Sequence, residues 1–167
     1  MFEILDKMFL LKQTPVFERF SAEQLYPVAS AARELFVPAQ SLILRQGQPG
    51  DAFYIISSGT VSVERSGVRV TLLGEKECFG ELEVLNAEPS LAAVRTQTEC
   101  ELLVISREDF IDLVEEYSDF SRGLLEVLSE RLAAHVLKLS RTQPLGTGSL
   151  WAESTADWTG MDKTIDN

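Results

Sequence analysis

The sequence has few of the residues on which several classes of function depend. It contains one histidine, His135, and 15 basic residues against 26 acidic ones, for a net charge of −11. Such an excess of negative charge repels nucleic-acid phosphates and anionic membrane surfaces unless a local basic patch is present, and no basic patch is visible in the sequence. We therefore expect no binding to nucleic acid.

Long hydrophobic runs are also missing. The longest apolar run near the N-terminus, Met8 to Leu11, is far shorter than the roughly 20 residues that a membrane span needs, and no signal-peptide pattern precedes it. We predict a cytoplasmic protein that does not insert into a membrane. The sequence has only two cysteines, Cys78 and Cys100, and without an export signal we expect both to be reduced, half-buried thiols.

The scarcity of histidine argues against enzymatic activity. A cupin-type metal site requires several histidines and a carboxylate, whereas His135 stands alone on a predicted helix. Neither cysteine has a histidine in the β-rich region to raise its thiolate character, and no G-x-S-x-G motif is present. We predict neither a catalytic site nor a metal site.

The chain does contain an order of helices, then strands, then helices. A length of 167 residues with 45% hydrophobic composition suffices for one core and is short for two. Residues 2–12 have the spacing of an amphipathic helix, and Ser21 with Gln24 forms a capping box for a helix that runs to about Arg33. From residue 36 to 105, short apolar runs alternate with turn signals, which predicts an all-β sandwich or barrel.

Helices return after residue 105. Ser106 with Asp109 is a second N-cap signature, and a longer helix follows at about residues 120–140. Leucine and histidine recur in that helix at alternating steps of three and four, at Leu125, Leu128, Leu132, His135 and Leu139. This spacing suits either a helix that lies on the barrel or the coiled-coil seam of a homodimer.

The C-terminal residues 142–167 predict a flexible acidic tail. They hold four acidic residues against one lysine, with no helical period. Both tryptophans, Trp151 and Trp158, lie here as isolated aromatic residues, and they could anchor a partner or the domain's own surface. A helix-turn-helix regulator would need a basic recognition helix in this segment, so DNA binding by this chain is not expected.

A specific resemblance is carried by the stretch from Gly47, GQPGDAFYIISSGTVSVE, and by the F-G-E that follows. This order closely resembles the cyclic nucleotide-binding domain family, of the catabolite-activator and protein kinase A regulatory-subunit type, over about residues 14–140. The resemblance implies an α+β, mainly β fold, in which an antiparallel β-roll of the jelly-roll type (a double-stranded β-helix) is flanked by N-terminal and C-terminal helices. We expect a domain at residues 1–141, with the roll at about 36–105 and the C-terminal helices at about 107–140.

In this family the ligand lies in a cassette that runs from F-G-E to P-R-x-A-[ST]. The resemblance implies that Gly80 lets the backbone approach a ribose and that Glu81 accepts the ribose 2′-hydroxyl. A short helical turn over Leu82 to Leu85 would aim backbone N–H groups at the phosphate. Alternatively, Glu81 caps local amides and Gly80 serves the geometry of its own turn. Four further residues are interpreted as turn residues: Gly50, Asp51, Gly59 and Gly67.

The second half of the cassette departs from the family. Ser90 stands where the family has the arginine that pairs with the cyclic phosphate, and Ala93 stands where it has a serine or threonine. A charge-assisted hydrogen bond is worth roughly 1.5–3 kcal/mol, so the loss of the arginine predicts affinity lower by roughly ten- to a hundred-fold. The matched segment also includes Leu91 and Ala92 as ligand-lining residues.

Arg95 is the one nearby residue that could replace the missing arginine. If residues 91–98 form a strand, Arg95 shares a face with Leu91 and Ala93. The other interpretation is an arginine that faces solvent at the end of a strand. Three further carboxylates, Glu75, Glu77 and Glu88, join Glu83 in making the surrounding loops acidic, and Lys76 replaces a glycine that the family often has.

Two functional hypotheses follow from the degenerate cassette. In the first, the chain is a regulatory ligand-sensing module that binds cAMP and cGMP weakly or not at all, with a cyclic nucleotide or another small anion as its only candidate ligand. In the second, it is a scaffold or oligomerisation domain, without a ligand, in a larger regulatory, transporter or signalling protein. The sequence does not identify the protein or domain that it regulates.

Overall fold

The computed structural model describes residues 3–86 and 88–142, with side chains up to residue 138. The helices are α1 (Ile4–Gln13), α2 (Ala22–Ala31), α3 (Glu81–Asn86), α4 (Arg107–Glu116) and α5 (Ser118–Thr142), with a 3₁₀ turn at Pro15–Phe17. The strands are β1 (Arg33–Val37), β2 (Leu42–Leu44), β3 (Ala52–Ser58), β4 (Val61–Arg65), β5 (Val68–Leu73), β6 (Cys78–Phe79), β7 (Ala93–Thr96) and β8 (Cys100–Ser106).

The strands form two four-stranded antiparallel sheets. One has the order β1-β8-β3-β6 and the other the order β2-β7-β4-β5. Consecutive strands therefore alternate between sheets along much of the chain, as they do in a β-roll. The predicted α+β, mainly β roll between N-terminal and C-terminal helices is confirmed.

Alternation along β3 divides the buried residues into two cores. Phe53 and Ile55 point to one face, where they pack with residues from the helices, while Tyr54 and Ile56 point to the other, where they pack between the two sheets. This follows from the period of two in a strand, and the run of apolar residues indicates that both faces are buried. Both cores contact the cassette, since Val84 belongs to the first and Phe79 to the second.

Both cysteines are more deeply buried than the sequence predicts. Cys78 packs in the core under the helices and Cys100 packs between the sheets, and neither is in a disulfide. The expectation of half-buried side chains is wrong because each lies on a strand whose inward face it occupies, and a thiol behaves there as a small apolar group.

Local sequence signals predict the starts of α2 and α4 correctly and the end of α2 incorrectly. The Ser21 hydroxyl accepts a hydrogen bond from the Gln24 amide and the Gln24 side chain reaches back, which confirms the capping box. Ser106 likewise caps α4 through the Asp109 amide. Helix α2 ends at Ala31, short of the expected Arg33, because Arg33 already pairs with Val104 in the sheet.

The long C-terminal helix crosses a division of the chain into two units, residues 1–128 and 129–167. In the first unit the buried residues of α5 are Phe120, Leu124 and Val127, while Leu125 is exposed. The buried stripe of α5 therefore passes through Leu124, one residue before Leu125 of the predicted seam. In the second unit Leu132 is exposed, and the tail from residue 143, with Trp151 and Trp158, lies outside the described residues.

Candidate functional site

The cassette begins at a turn that only glycine fits. Gly80 has a φ of +90° between β6 and α3, and a Cβ atom there would lie 2.5 Å from the carbonyl oxygen of Ala52. The Val84 amide donates to the Gly80 carbonyl at 3.2 Å, which starts the hydrogen bonding of α3. The glycine is thus required by the fold itself, whatever binds beside it.

The next two predicted site residues lie at the start of α3. The Glu81 side chain is buried, and Leu82 is partly exposed at 42%. The helical turn expected over Leu82 to Leu85 is present within α3, which begins one residue earlier at Glu81.

Ser90 is held by its backbone against the turn between β2 and β3. Its amide donates to the Gln48 carbonyl at 2.9 Å, and its carbonyl accepts from the Gly47 amide at 2.8 Å. Pro49 and Pro89 form an isolated antiparallel bridge at the same place. These contacts fix the position of residue 90 relative to the roll.

The Ser90 side chain is directed at a carboxylate. Its hydroxyl lies 2.5 Å from Oε1 of Glu83 and 2.7 Å from the carbonyl oxygen of Ala92. Both Ser90 and Glu83 are buried, with 5% and 9% of their surface exposed. The position where the family has a cation is therefore paired with an anion of the chain.

The Glu83 side chain packs closely against Gly50. A Cβ atom on Gly50 would lie 2.8 Å from Cβ of Glu83 and 3.3 Å from Leu44. Gly50 has no positive φ, so its glycine is explained by the close approach of Glu83 rather than by the conformational freedom of a turn. The interpretation of Gly50 as a turn residue therefore misses its contact with the cassette.

The remaining predicted residues of the segment face different surroundings. Leu91 is 65% exposed and precedes β7, so it is not on a strand. Ala92 contributes its carbonyl to Ser90, and Ala93 starts β7 opposite Glu64 with a half-buried methyl group. No hydroxyl replaces the one that the family has at this position.

Arg95 lies on β7 and is engaged away from Ser90. Its Nη1 donates to the Gln40 carbonyl at 3.0 Å, and its Nε is 3.9 Å from Oε2 of Glu64. Val94, on the opposite face of the strand, packs between the sheets. The structure thus places the Arg95 guanidinium on the outer face of the sheet.

Negative charge also reaches the aromatic residues beside the cassette. Tyr54 stacks on Phe79 with ring centroids 4.8 Å apart and an angle of 9° between planes. Burial raises the pKa of the Tyr54 phenol, and the carboxylates of Asp51 and Glu83 raise it further. The other acidic residues of these loops, Glu75, Glu77 and Glu88, are exposed.

Glu83 is the residue that sequence reasoning missed. The sequence predicts Glu83 only as one of several loop carboxylates, because the register of α3 against the roll is not visible in the sequence. One signal points to it in retrospect. Glu83 lies seven residues before a serine that replaces an arginine, and a buried carboxylate needs a hydrogen-bond donor.

In residues 3–86 and 88–142, no group of three or more histidine, cysteine, aspartate or glutamate side chains is arranged to hold a metal ion. Within the same ranges, no helix has the length and apolar character needed to cross a membrane.

Comparison with known proteins agrees with the geometry. The model of the cyclic nucleotide-binding domain family matches residues 34–117, about half of the chain. The chain belongs to this family, and it is a regulatory domain of the cyclic nucleotide-binding type. The resemblance noted in the sequence is confirmed.

Three relatives illustrate the range of the family. The chain is 31% identical over 102 residues to the cAMP-dependent protein kinase regulatory subunit of Emericella nidulans, which covers 60% of this chain and 25% of that protein. It is 30% identical over 135 residues to the cyclic AMP receptor protein of Thermus thermophilus, which covers 77% and 62%. The solved catabolite activator protein of Thermus thermophilus superposes with a TM-score of 0.69 at 28% identity, covering 77% of this chain and 63% of that one. The chain therefore spans less than two thirds of each of these relatives.

Proposed function

We propose that this chain is a non-enzymatic regulatory domain whose cassette binds cAMP and cGMP weakly or not at all. The observation that carries the proposal is the hydrogen bond between the buried Ser90 hydroxyl and the buried Glu83 carboxylate. In the family, a cyclic nucleotide is the usual ligand and an arginine at this position pairs with its phosphate. Here the only side-chain donor at residue 90 already serves an anion of the chain.

The energetic cost to a cyclic phosphate has two parts. The absent arginine removes a charge-assisted interaction of roughly 1.5–3 kcal/mol. The Glu83 carboxylate adds repulsion, which for two unit charges 4 Å apart amounts to about 4 kcal/mol at an effective dielectric constant of 20. Either part alone lowers affinity by at least about tenfold.

The other candidate partners for the phosphate are also weak. Ala93 carries no hydroxyl, and Arg95 would have to leave Gln40 and Glu64 and cross to the other side of its strand. Backbone amides at the start of α3 are left as donors. Amides alone would have to hold the phosphate against the charge of Glu83.

The output of the domain is proposed by analogy with its relatives. Their names identify a kinase regulatory subunit and a receptor protein, so we infer that this chain acts on a partner protein or an attached domain. Self-association through α5, a cytoplasmic location and the absence of nucleic-acid binding remain part of the proposal. A scaffold without any ligand is the second candidate, and it is favoured by the same closed contact between Ser90 and Glu83.

A thermal-shift measurement tests the proposal. A ligand stabilises the folded state by RT ln(1 + [L]/Kd), so 1 mM cAMP would add about 2.7 kcal/mol for a Kd of 10 µM and about 0.4 kcal/mol for a Kd of 1 mM. For a chain of this size these values correspond to shifts in Tm of about 5–10 °C and about 1 °C. We expect a shift of about 1 °C or less with either nucleotide, and a shift of 5 °C or more would overturn the proposal.

A further inference from the structure

The strongest unassigned feature of the molecule is the position of the Glu83 carboxylate inside the cassette. It is buried, it lies 2.5 Å from the hydroxyl at position 90, and it contributes to the raised pKa of Tyr54. A Cβ atom on Gly50 would lie 2.8 Å from the Cβ and 3.0 Å from the Cγ of Glu83. The stem of the Glu83 side chain is therefore closely packed, and the carboxylate at its end is hydrogen-bonded to the Ser90 hydroxyl.

We propose that Glu83 is the specificity-determining residue of this cassette, because its carboxylate takes the place of the ligand's anion beside residue 90. The proposal rests on the proposed function, and it adds that restoring the family's arginine and hydroxyl is not sufficient for nucleotide binding. The phosphate is excluded until the charge of Glu83 is removed.

An arginine at position 90 would meet the Glu83 carboxylate before it meets a ligand. The Ser90 backbone is held by Gln48 and Gly47, so a longer side chain at residue 90 would start from the same place. Oε1 of Glu83 lies 2.5 Å from the γ atom of residue 90, so the guanidinium of a flexible arginine side chain starting there can reach the carboxylate. An arginine and a carboxylate in buried surroundings form strong charge-assisted hydrogen bonds. The new arginine would thus be neutralised by Glu83 before a phosphate arrives.

Burial distinguishes Glu83 from the other carboxylates of the loops. Glu88 is exposed two residues before Ser90, so water and salt screen its charge from the cassette. A substitution of Glu88 removes the same formal charge, from the segment that follows α3, without touching the contact between Glu83 and residue 90. Glu88→Gln is therefore a matched control for Glu83→Gln.

The test compares three variants by calorimetric titration with cAMP. The first is Ser90→Arg with Ala93→Thr, and the second and third add Glu83→Gln or Glu88→Gln to that pair. We expect the pair alone and the Glu88 control to bind no more than about threefold better than the natural chain. The variant with Glu83→Gln should bind at least tenfold better than the pair, because the arginine is then free to meet the phosphate.

The outcomes separate this inference from the proposed function. If the natural chain binds cAMP at low micromolar concentration, the proposed function fails. If the natural chain shows no measurable binding but the variant with Ser90→Arg and Ala93→Thr binds cAMP as tightly as the variant with Glu83→Gln, the proposed function stands and the role of Glu83 is refuted. Equal gains from Glu83→Gln and Glu88→Gln, or no gain from both Glu83→Gln and Glu83→Ala in folded proteins, also refute it.

A second measurement detects variants that fail to fold. Glutamine keeps the size of Glu83 and can still accept a hydrogen bond, and circular dichroism melting checks each variant before titration. Glu83→Ala serves if glutamine pairs with the new arginine, since alanine retains the Cβ that packs against Gly50. The same tenfold gain over the pair is expected with alanine, and its absence in a folded variant counts against the proposal.

Discussion

Gly123 of helix α5 lies directly against the backbone of Val16 in the 3₁₀ turn Pro15–Phe17. A Cβ atom on Gly123 would be 2.6 Å from the carbonyl oxygen of Val16 and 3.1 Å from its Cα. The obstacle is backbone, which cannot rotate away as a side chain can. This contact joins the segment before the roll to the helix that follows it, within residues 1–128.

Gly123→Ala should therefore destabilise the domain. In an exposed helix this substitution would stabilise by about 1 kcal/mol, but overpacking of a close contact costs about 1–3 kcal/mol. We expect the cost of overpacking to prevail and the free energy of unfolding in urea to fall. Ser129→Ala, at an exposed position of the same helix, is the control, and it should leave stability unchanged or raise it by less than about 0.5 kcal/mol. A more stable Gly123→Ala protein would contradict the tight contact.

The aromatic cluster beside this contact makes a second prediction. The centroid of the Phe120 ring lies 5.0 Å from that of Phe17, 6.1 Å from that of Phe20 and 5.2 Å from that of Phe110. The Phe120 side chain is fully buried. Phe120→Ala should lower the free energy of unfolding by about 3–5 kcal/mol. Phe9→Ala, at a side chain 71% exposed, should lower it by less than about 1 kcal/mol. Similar losses at the two sites in chemical denaturation would show that the cluster is not a core.

Tyr54 should titrate later than an exposed tyrosine. Its pKa is raised by burial first and then by Asp51 and Glu83. Difference absorbance during an alkaline titration should show that Tyr54→Phe removes a transition that lies above the ordinary tyrosine pKa of 10.0. Glu83→Gln should bring the Tyr54 transition to lower pH, because it removes one of the three causes.

The same shift predicts how stability depends on pH. In the unfolded chain the Tyr54 phenol titrates near its ordinary pKa of 10.0, while in the folded domain it stays neutral to higher pH. Its contribution is complete below pH 10 and is lost as pH rises from there through the folded pKa. Between pH 8 and pH 10.5, the free energy of unfolding measured in urea should fall less for Tyr54→Phe than for the natural chain. An equal loss would mean that Tyr54 is not the group responsible.

The sequence predicts the parts of this molecule that depend on local patterns. The Ser21 capping box, the turn glycine Gly80 and the sheet-rich region are visible because each follows from a short run of residues. The stripe of α5 that packs on the domain itself cannot be read from the sequence, because Leu125 and Leu124 fit a three-and-four spacing almost equally and only packing selects Leu124.

The cassette shows the same limit at the level of function. The absence of an arginine at position 90 can be read directly from the sequence. The presence of Glu83 beside it cannot, since α3 and the segment at residue 90 meet only when the turn before β3 closes on them. The sequence therefore shows that a cation is missing at position 90, and the structure shows that the Glu83 carboxylate lies beside that position.

Calorimetric titration of the natural chain with cAMP and with cGMP tests the central claim most directly. We expect a Kd of about 1 mM or weaker, or no measurable heat of binding, for both nucleotides, because Ser90 and Ala93 lack the phosphate partners and Glu83 repels the anion. A saturable Kd in the low micromolar range or tighter, with one site per chain, would contradict it.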